Sequence, residues 1–247
     1  MVGEKFRKAL AEKSQENNSK LILALDVSGK GIAKKQIEQK SLDILEDSLN
    51  FLVAVKVGYP LVLSTGLEII HKIRKLGELP IIADFKIADV PHINRQIARY
   101  AYESGADAVI AHGFTGRDSL EATISIAEEM GGKGVIVIPD MSHLGGEMFI
   151  KPSSKQIVKL AKETGATGII GPATRPEEVT ALRSLAGDKM LILTPGIGTQ
   201  GARPGDAIKG GADYEIVGRS IYTSDSPGKA ARLIRDEINE VIKEESC

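Results

Sequence analysis

The stretch PIIADFKIADVPHINRQIARYAYES (residues 80–104) contains the pattern that decides the fold. A short apolar run, Pro80–Lys86, is followed by an amphipathic stretch, Pro91–Ser104, in which apolar residues alternate with charged and polar ones. Nearly continuous apolar character over about four to eight residues is typical of a parallel strand buried on both faces. Residues 80–104 therefore predict one strand followed by one helix.

The same alternation recurs along the whole chain. Apolar runs that predict strands occupy Leu21–Val27, Phe51–Gly58, Pro80–Lys86, Ala108–Gly113, Gly134–Pro139, Gly168–Pro172, Leu191–Gly196 and Tyr214–Ser220. Their spacing of about thirty residues is that of one βα unit, and about eight such units make a (β/α)8 TIM barrel, an α/β fold. A doubly wound open sheet is the alternative, because a strand count does not prove closure. Met1–Asn18 predicts an extra helix before the first strand, and a last helix is predicted from about Gly228 to Glu244.

Length and composition fit a single globular domain over residues 1–247, since no Pro-, Ser- or Gly-rich linker divides the chain. Hydrophobic residues make up 42% and charged residues 26% of the sequence, and the net charge is −1. This balance argues against a nucleic-acid or membrane-surface protein, whose usual mark is an excess of basic residues. With aromatic residues at only 4%, the chain also offers few side chains on which bases would stack.

The sequence predicts a soluble protein of the cytoplasm. The N-terminal residues 1–20 are polar and charged, which is unlike a signal peptide, and no apolar run has the length of a membrane span. The single cysteine, Cys247, excludes a disulfide framework within the chain and fits a reducing compartment.

Charged residues end the first three predicted strands. Asp26 closes the first run, Lys56 the second, and Asp84 with Lys86 the third, while Asp89 follows in the next loop. In a barrel the carboxyl ends of the strands form the active-site face, so these five groups are expected to converge at one mouth. Asp84 and Lys86 are two residues apart, which on a regular strand places both side chains on the same face. A structural ion network is the plain alternative for any one of them, but concentrating several buried charges is costly unless they are used.

A glycine-rich segment follows the seventh run, PGIGTQG at residues 195–201, and the eighth run ends in Val217-Gly218-Arg219-Ser220. Loops after the last two strands are the usual phosphate site of such barrels, and Arg219 supplies a permanently charged donor. Residues 196–201 also match G-x-G-x-x-G, but no βαβ unit follows, so a dinucleotide site is not expected. The histidines show no metal-ligand spacing, so no metal is predicted, and His112 is interpreted as a hydrogen-bonded barrel residue.

The motif Asp84-x-Lys86-x-x-Asp89 followed by Val90 resembles that of the orotidine 5′-monophosphate decarboxylase family. Further segments of the chain resemble that family in the same order. They are Leu23-Ala24-Leu25-Asp26, Val55-Lys56-Val57-Gly58, Met141-Ser142-His143, Pro195-Gly196-Ile197-Gly198 and Val217-Gly218-Arg219-Ser220. The resemblance implies decarboxylation of orotidine 5′-monophosphate to uridine 5′-monophosphate, the last step of de novo synthesis of that nucleotide, without metal or organic cofactor.

The resemblance also implies roles for individual residues. Lys86 would protonate C6 of the pyrimidine, and Asp84 would lie beside the substrate carboxylate and hold Lys86. Asp89 and Val90 would come from the neighbouring subunit of a homodimer.

Binding roles follow in the same way. Asp26 and Lys56 would hydrogen-bond the ribose hydroxyls and complete the charged array, and Ser142 would contact the amide edge of the pyrimidine. The remaining substrate-binding residues, at the phosphate end, would be Pro195, Gln200, Gly218 and Arg219. One departure from the family pattern is Ile93, where many members carry a threonine whose hydroxyl reaches the ribose. His92 and Asn94 are the candidates to replace that contact.

Two other functions remain to be separated from this one. Phosphosugar enzymes of the same superfamily, such as 3-keto-gulonate 6-phosphate decarboxylase or hexulose phosphate synthase, share the Asp-x-Lys-x-x-Asp motif but bind magnesium through a carboxylate at the end of the second strand. That position is Lys56 here, and a cation beside Mg²⁺ opposes its binding. A barrel that only senses nucleotides or phosphosugars would keep Gly218 and Arg219 but would not need all four of Lys56, Asp84, Lys86 and Asp89.

Overall fold

In the computed structural model, which describes residues 2–141, 143–199 and 201–245, eight parallel strands form a closed barrel. The strands are β1 (Leu21–Ala24), β2 (Ala54–Gly58), β3 (Ile81–Ile87), β4 (Ala108–His112), β5 (Gly134–Ile138), β6 (Gly168–Ile170), β7 (Leu191–Pro195) and β8 (Tyr214–Val217). Each strand pairs with the next in sequence, and β8 pairs with β1, with Ile22 opposite Ile216. The predicted (β/α)8 barrel is therefore confirmed, and the open sheet is excluded.

Helices follow the strands in the manner the sequence predicts. They are α1 (Glu4–Glu16), α2 (Lys34–Ser48), α3 (Tyr59–Thr65), α4 (Glu68–Leu76), α5 (Pro91–Glu103), α6 (Arg117–Glu129), α7 (Leu144–Phe149), α8 (Ser154–Glu163), α9 (Pro176–Ala186), α10 (Asp206–Lys209), α11 (Arg219–Tyr222) and α12 (Pro227–Glu245). The eighth predicted run was too long at its end, because Arg219 and Ser220 already belong to α11.

Successive side chains of each strand point alternately into the barrel and toward the helices, and both environments are apolar, so the whole run is apolar. Ile22, Ile110 and Ile136 belong to the cluster inside the barrel, whereas their neighbours, such as Val109 and Val135, belong to the cluster between the barrel and its helices. Both faces of each strand are thus buried, and removing one such side chain from water contributes about 1.5–3 kcal/mol. The two clusters together hold the barrel closed.

The extra N-terminal helix, α1, covers the amino-terminal end of the barrel. Its Phe6 and Leu10 are almost fully buried and join the interior cluster with Ile22 and Tyr214. Arg7 donates a hydrogen bond to the carbonyl oxygen of Thr167. Because α1 closes this end, the opposite end is the open one, where the carboxyl ends of the strands lie.

Candidate active site

Four charged side chains form a chain of alternating sign at the open end of the barrel. The Lys56 Nζ lies 3.3 Å from Oδ2 of Asp26 and 3.0 Å from Oδ2 of Asp84. The Lys86 Nζ donates to both carboxylate oxygens of Asp84 at 2.8 Å. The order Asp26–Lys56–Asp84–Lys86 therefore links β1, β2 and β3 through charge pairs.

Burial differs along this chain and sets its electrostatics. Lys56 and Asp84 are each only 7% exposed, whereas the Lys86 side chain is 40% exposed. Burial alone disfavours the charged form of Lys56, but Asp84 and Asp26 outweigh it and raise the lysine's pKa. Burial likewise opposes ionisation of Asp84, yet Lys56 and Lys86 hold its pKa below the usual value. Lys56 and Asp84 are therefore fixed in their charged forms around neutral pH.

An irregularity in β3 places Lys86. Ala83 pairs with Val109 and Ile87 with Ala111, so β3 uses four residue steps where β4 uses two. Lys86 itself has a φ of 42°, in the left-handed region that non-glycine residues seldom adopt. The prediction that the Asp84 and Lys86 side chains meet is correct, but the predicted cause, regular alternation along the strand, is wrong. The bulge brings them together instead. Strained backbone of this kind is concentrated at functional sites.

A cavity of about 290 Å³ opens beside the charged chain. Its walls include all four charged residues on one side and the ends of β7 and β8 on the other. Isoleucines from the barrel interior form its floor, namely Ile110, Ile138, Ile170 and Ile216. The apolar floor next to the ion pairs was not predicted, because the sequence does not show which buried isoleucine is the last of its strand.

Predicted phosphate-end residues lie together on the far wall. Pro195, Gly218 and Arg219 line the cavity, as does Thr199 in the glycine-rich loop. Gly198, with a φ of 75°, lies so close to α11 that a Cβ there would be 2.4 Å from the Ser220 Oγ. The glycine-rich loop thus packs directly against the residue that follows Arg219.

Two predicted site residues, Ser142 and Gln200, lie outside the described residues. Their chain neighbours Met141 and Thr199 line the cavity.

Asp89 and Val90 do not join the charged chain of their own subunit. Both are exposed, and neither lines the cavity. The prediction that five charges of one chain converge at the mouth is wrong for Asp89, because the bulge ends β3 at Ile87 and the chain then turns outward into α5. The backbone N–H of Asp89 donates to Oδ1 of Asn94 at 2.7 Å, and Ser119 Oγ donates to its carbonyl oxygen at 2.9 Å.

Asn94 is thereby removed as a replacement for the hydroxyl missing at Ile93. Its side chain is only 1% exposed and is occupied by the backbone of Asp89 and by the carbonyl oxygen of Ser119. His92 remains exposed on α5.

Asp140 and Tyr222 are cavity residues that the sequence analysis did not single out. Asp140 follows β5 and pairs with Arg175 at 2.7 Å, and burial raises its pKa despite that arginine. Its position after an apolar run was the same signal that marked Asp26. Tyr222 carried no such signal, because it reaches the cavity only through the turn of α11.

His112 differs from its predicted role as a hydrogen-bonded residue. Its Nδ1 is buried and has no hydrogen-bond partner among the described residues. Burial, with the nearby Lys86 charge, lowers its pKa to about 4, so the ring is neutral around pH 7. Its ring packs on Phe114 with centroids 4.7 Å apart.

Within the described residues, no group of three or more His, Cys, Asp or Glu side chains is arranged to hold a metal ion. In that same part of the chain, no helix has the length and apolar character needed to cross a membrane.

A closed (β/α)8 barrel with paired charges at the ends of β1 to β3 and a glycine-rich loop beside Arg219 at the ends of β7 and β8 is typical of a class: barrel enzymes that act on small phosphorylated molecules. Residues 19–234 match the model of the Orotidine 5′-phosphate decarboxylase / HUMPS family. The chain belongs to this family and is an enzyme of the carboxy-lyase class.

Individual relatives agree with the family match. An orotidine 5′-phosphate decarboxylase of Methanosarcina barkeri is 49% identical over 231 residues, 94% of this chain and 100% of the relative. Another, of Thermococcus kodakarensis, is 48% identical over 224 residues, 91% of this chain and 99% of the relative. The crystal structure of orotidine 5′-monophosphate decarboxylase from Methanocaldococcus jannaschii complexed with the inhibitor BMP has a TM-score of 0.82 and 39% identity, covering 90% of this chain and 99% of that one.

Proposed function

We propose that this enzyme decarboxylates orotidine 5′-monophosphate to uridine 5′-monophosphate and carbon dioxide, the last step of de novo synthesis of that nucleotide. The observation that carries the proposal is the chain Asp26–Lys56–Asp84–Lys86, which ends in a half-exposed ammonium at the cavity. Names of relatives that cover nearly their full length support it.

The reaction breaks the bond between C6 of the pyrimidine and its carboxylate. Carbon dioxide leaves, and the electron pair of the broken bond stays at C6. In our proposal Lys86 stabilises this developing charge and then gives a proton from Nζ to C6, which forms the product. An ammonium held in place before the reaction stabilises such charge without reorganisation, and removing one such donor commonly costs about 3–4 kcal/mol. Water returns a proton to Lys86 afterwards.

Asp84 holds Lys86 in position, and Lys56 balances the charge of that carboxylate. Asp84 accepts hydrogen bonds from the Lys86 ammonium through both of its oxygens. Its Oδ2 also pairs with the Lys56 ammonium, so two cations surround this buried carboxylate. Asp26 has a further property that fits a substrate contact. Its Oδ1 is buried beside Gly58 and lacks a hydrogen-bond partner among the described residues, so it is free to accept from a ribose hydroxyl.

The phosphate group is assigned to the part of the cavity wall at the ends of β7 and β8. Arg219 is exposed, lines the cavity, and forms no ion pair with the described residues, so its guanidinium is available for an anion. We assign Gly218 and Pro195 to this end on their positions in the wall, Gln200 to the phosphate, and Ser142 to the pyrimidine amide by the resemblance in sequence. Binding energy of the phosphate then serves to orient the distant pyrimidine.

Lys56 favours a reaction without a metal ion over that of the magnesium-dependent phosphosugar enzymes. Its ammonium lies within 3.3 Å of both Asp26 and Asp84, at the position between two carboxylates where a divalent cation would otherwise be held. A cation at that position would meet the repulsion of a buried charge. The donor set therefore fits an internal lysine better than Mg²⁺.

We also propose that the enzyme acts as a homodimer in which Asp89 and Val90 complete the partner's site. Both residues are exposed and absent from the cavity of their own chain, and Asn94 and Ser119 hold the backbone of Asp89 in place. Exposed apolar side chains at this end of the barrel, including Tyr59, Leu63 and Phe114, provide surface for such contact.

Finally, we propose that residues 1–247 act as one cytoplasmic domain. Helix α12 belongs to the barrel unit, since the Gly228 N–H donates to Oδ2 of Asp47 on α2 at 2.6 Å.

The reaction is tested by following the loss of the orotate chromophore with orotidine 5′-monophosphate, with and without excess chelator. We expect turnover with equal rates in both conditions. Loss of activity in chelator and its recovery with Mg²⁺ would contradict the metal-free site and favour a phosphosugar enzyme. A parallel assay with hexulose 6-phosphate substrates, on which no activity is expected, serves as the control.

A further inference from the structure

Glu215 is a fully buried carboxylate that the proposed reaction does not use. It lies in β8, three residues before Gly218, and none of its surface is exposed. Its neighbours Tyr214 and Ile216 belong to the barrel interior, so Glu215 faces the layer of helices. This position is next to the phosphate end but outside the cavity wall.

Backbone groups, rather than a lysine or arginine, hold this carboxylate. The N–H of Gly205 donates to both carboxylate oxygens at 3.0 and 2.9 Å, and the N–H of Ala207 donates to Oε1 at 3.2 Å. Burial raises the pKa of Glu215 to about 7, and the like charge of Asp206 acts in the same direction. A buried carboxylate that pairs with no lysine or arginine among the described residues is costly to ionise, so its presence here calls for a use other than packing.

The loop that begins with the glycine-rich segment at residue 195 continues to Gly205, just before α10, and these hydrogen bonds fix that end of it. Gly205 has a φ of 90°, and a Cβ there would lie 2.6 Å from Val241 of α12, so its backbone is confined between α12 and Glu215. Upstream of Gly205 the loop closes on itself, because the N–H of Ala202 donates to Gly196 at 3.3 Å and that of Gly198 donates to Ala202 at 2.9 Å.

The loop and Arg219 are therefore connected through one strand. Gly198 packs on Ser220, and Thr199 lines the cavity near Arg219. Glu215 belongs to the strand that leads into Gly218 and Arg219 and also holds the far end of the loop. Gly205 thus follows the closed turn of residues 196–202 by three residues, and Gly198 within that turn is the residue that packs on Ser220.

We infer that Glu215 is a positioning residue for phosphate recognition, since its carboxylate holds the glycine-rich loop in register with Arg219. The inference rests on the proposed function only in assigning the phosphate to this end of the cavity. A buried carboxylate that is costly to ionise and yet organises a binding loop is expected at functional sites rather than in a core.

The test compares Glu215→Gln with the unaltered enzyme and with Glu38→Gln. Glutamine keeps the size of the side chain but turns one acceptor into an NH2 group that opposes the Gly205 N–H. Glu38 is a matched control, because it is also buried, at 6% exposure, but pairs with Lys72 on the helices away from the cavity. The measured quantity is kcat/KM for orotidine 5′-monophosphate divided by kcat/KM for orotidine, which lacks the phosphate.

We expect this ratio to fall about tenfold or more in Glu215→Gln, the effect of losing one hydrogen bond to a charged group. In Glu38→Gln the ratio should equal that of the unaltered enzyme. A general loss of stability would lower both substrates alike and leave the ratio constant. A ratio within about twofold of the unaltered enzyme in a folded Glu215→Gln protein overturns the inference.

Two further measurements keep the inference testable. If Glu215→Gln does not fold, the inference is tested by amide hydrogen exchange of the unaltered protein. The Gly205 and Ala207 N–H groups, which donate to Glu215, should be protected from exchange before any ligand binds. Exchange as fast as in an open loop would reject the inference. If the unaltered protein fails to turn over orotidine 5′-monophosphate, the proposed function is wrong, but titration with inorganic phosphate still applies: binding weaker by about tenfold in Glu215→Gln supports the role of Glu215, and equal binding rejects it.

Discussion

The charged side chains on the two sides of the barrel mouth differ in whether they are already paired. On the side of β1 to β3, every charged group that lines the cavity is already paired with another, and Lys56 and Asp84 are buried. On the side of β7 and β8, the wall is formed by glycine-rich backbone and by Arg219, which is exposed and forms no ion pair with the described residues.

The charged groups at the ends of β1 to β3 are therefore held in fixed positions before any ligand binds, whereas Arg219 remains solvated. Groups that stabilise a reacting carbon act best when they are fixed before the reaction, because no energy is then spent on reorganising them. A group that grips a phosphate has to exchange its partner with every turnover, so it stays solvated until the ligand arrives. The predictions below test this division, beginning with the largest expected effect.

Replacing the reacting-side ammonium is expected to have the largest effect. Lys86→Ala should lower kcat by about a hundredfold to a thousandfold, because in the proposed mechanism it removes both the proton donor and the charge facing C6. Affinity for uridine 5′-monophosphate should fall much less, since the phosphate wall is untouched. Lys35→Ala, at an exposed position on α2, should behave like the unaltered enzyme. A Lys86→Ala enzyme that keeps more than about a tenth of the rate would rule out the proposed role.

Replacing the phosphate-side cation is expected to have a smaller and more selective effect. Arg219→Ala should weaken binding of uridine 5′-monophosphate by about tenfold to a hundredfold, the range for a lost charged hydrogen bond. The rate with orotidine should change much less, and exposed Arg232 on α12 offers the control substitution Arg232→Ala. Equal losses for the substrates with and without phosphate would show that Arg219 acts at the pyrimidine end or in folding.

Complementation tests whether the reacting side is shared between chains. Lys86→Ala and Asp89→Ala homodimers should each be nearly inactive. After joint unfolding and refolding of equal amounts, about half of the chains should lie in mixed dimers, which restores about a quarter of all sites. Proteins folded separately and mixed without subunit exchange should stay inactive. If mixed dimers form and no activity returns, Asp89 serves its own chain.

The smallest expected effects concern how the free energy of unfolding depends on pH, and they have opposite signs for His112 and Glu215. His112, with a pKa lowered to about 4, binds fewer protons when folded than when unfolded, so its contribution to stability is lost as pH falls from 6.5 toward 4. Glu215, with a pKa raised from 4.5 to about 7, binds more protons when folded, so its contribution is lost as pH rises through that interval.

The two contributions oppose each other between about pH 4.5 and 6.5. His112→Phe should therefore leave a free energy of unfolding that falls with rising pH, and Glu215→Gln one that rises, each by about 1 kcal/mol per pH unit. Urea unfolding at several pH values measures both slopes. Identical profiles in the two variants would show that neither group titrates as its burial implies.

Much of this architecture is visible in the sequence. All eight strands begin within a few residues of the predicted runs, because strands buried on both faces require unbroken apolar stretches of this length. Asp26, Lys56 and Asp84 were located for a related reason: a charge at the end of an apolar run lies at the carboxyl end of its strand, which is the open end of the barrel.

Other features depend on geometry that residue order does not encode. The bulge at Lys86 was not predicted, since Asp-Phe-Lys reads as regular alternation. The positive φ of Lys86 lies within the stretch where β3 is out of register with β4. Glu215 reads as one charge inside an apolar run. Only the folded chain shows that Gly205 and Ala207, ten and eight residues earlier, are its partners.

The sequence by itself determined that this chain forms a (β/α)8 barrel and that Asp26, Lys56, Asp84 and Lys86 lie at its mouth. It also predicts that the last two loops bind an anion. These properties follow from the period and length of apolar runs, which depend only on residues that are close together in the sequence. Only the tertiary structure decided that Lys86 reaches Asp84 through a bulge and that Asp89 leaves its own site. It also decided that Oδ1 of Asp26 has no hydrogen-bond partner in the described part of the chain and that buried Glu215 accepts hydrogen bonds from Gly205 and Ala207. The physical reason is that pairing, burial and strain are properties of neighbours in space, and the closure of the barrel brings together residues that are far apart in the chain.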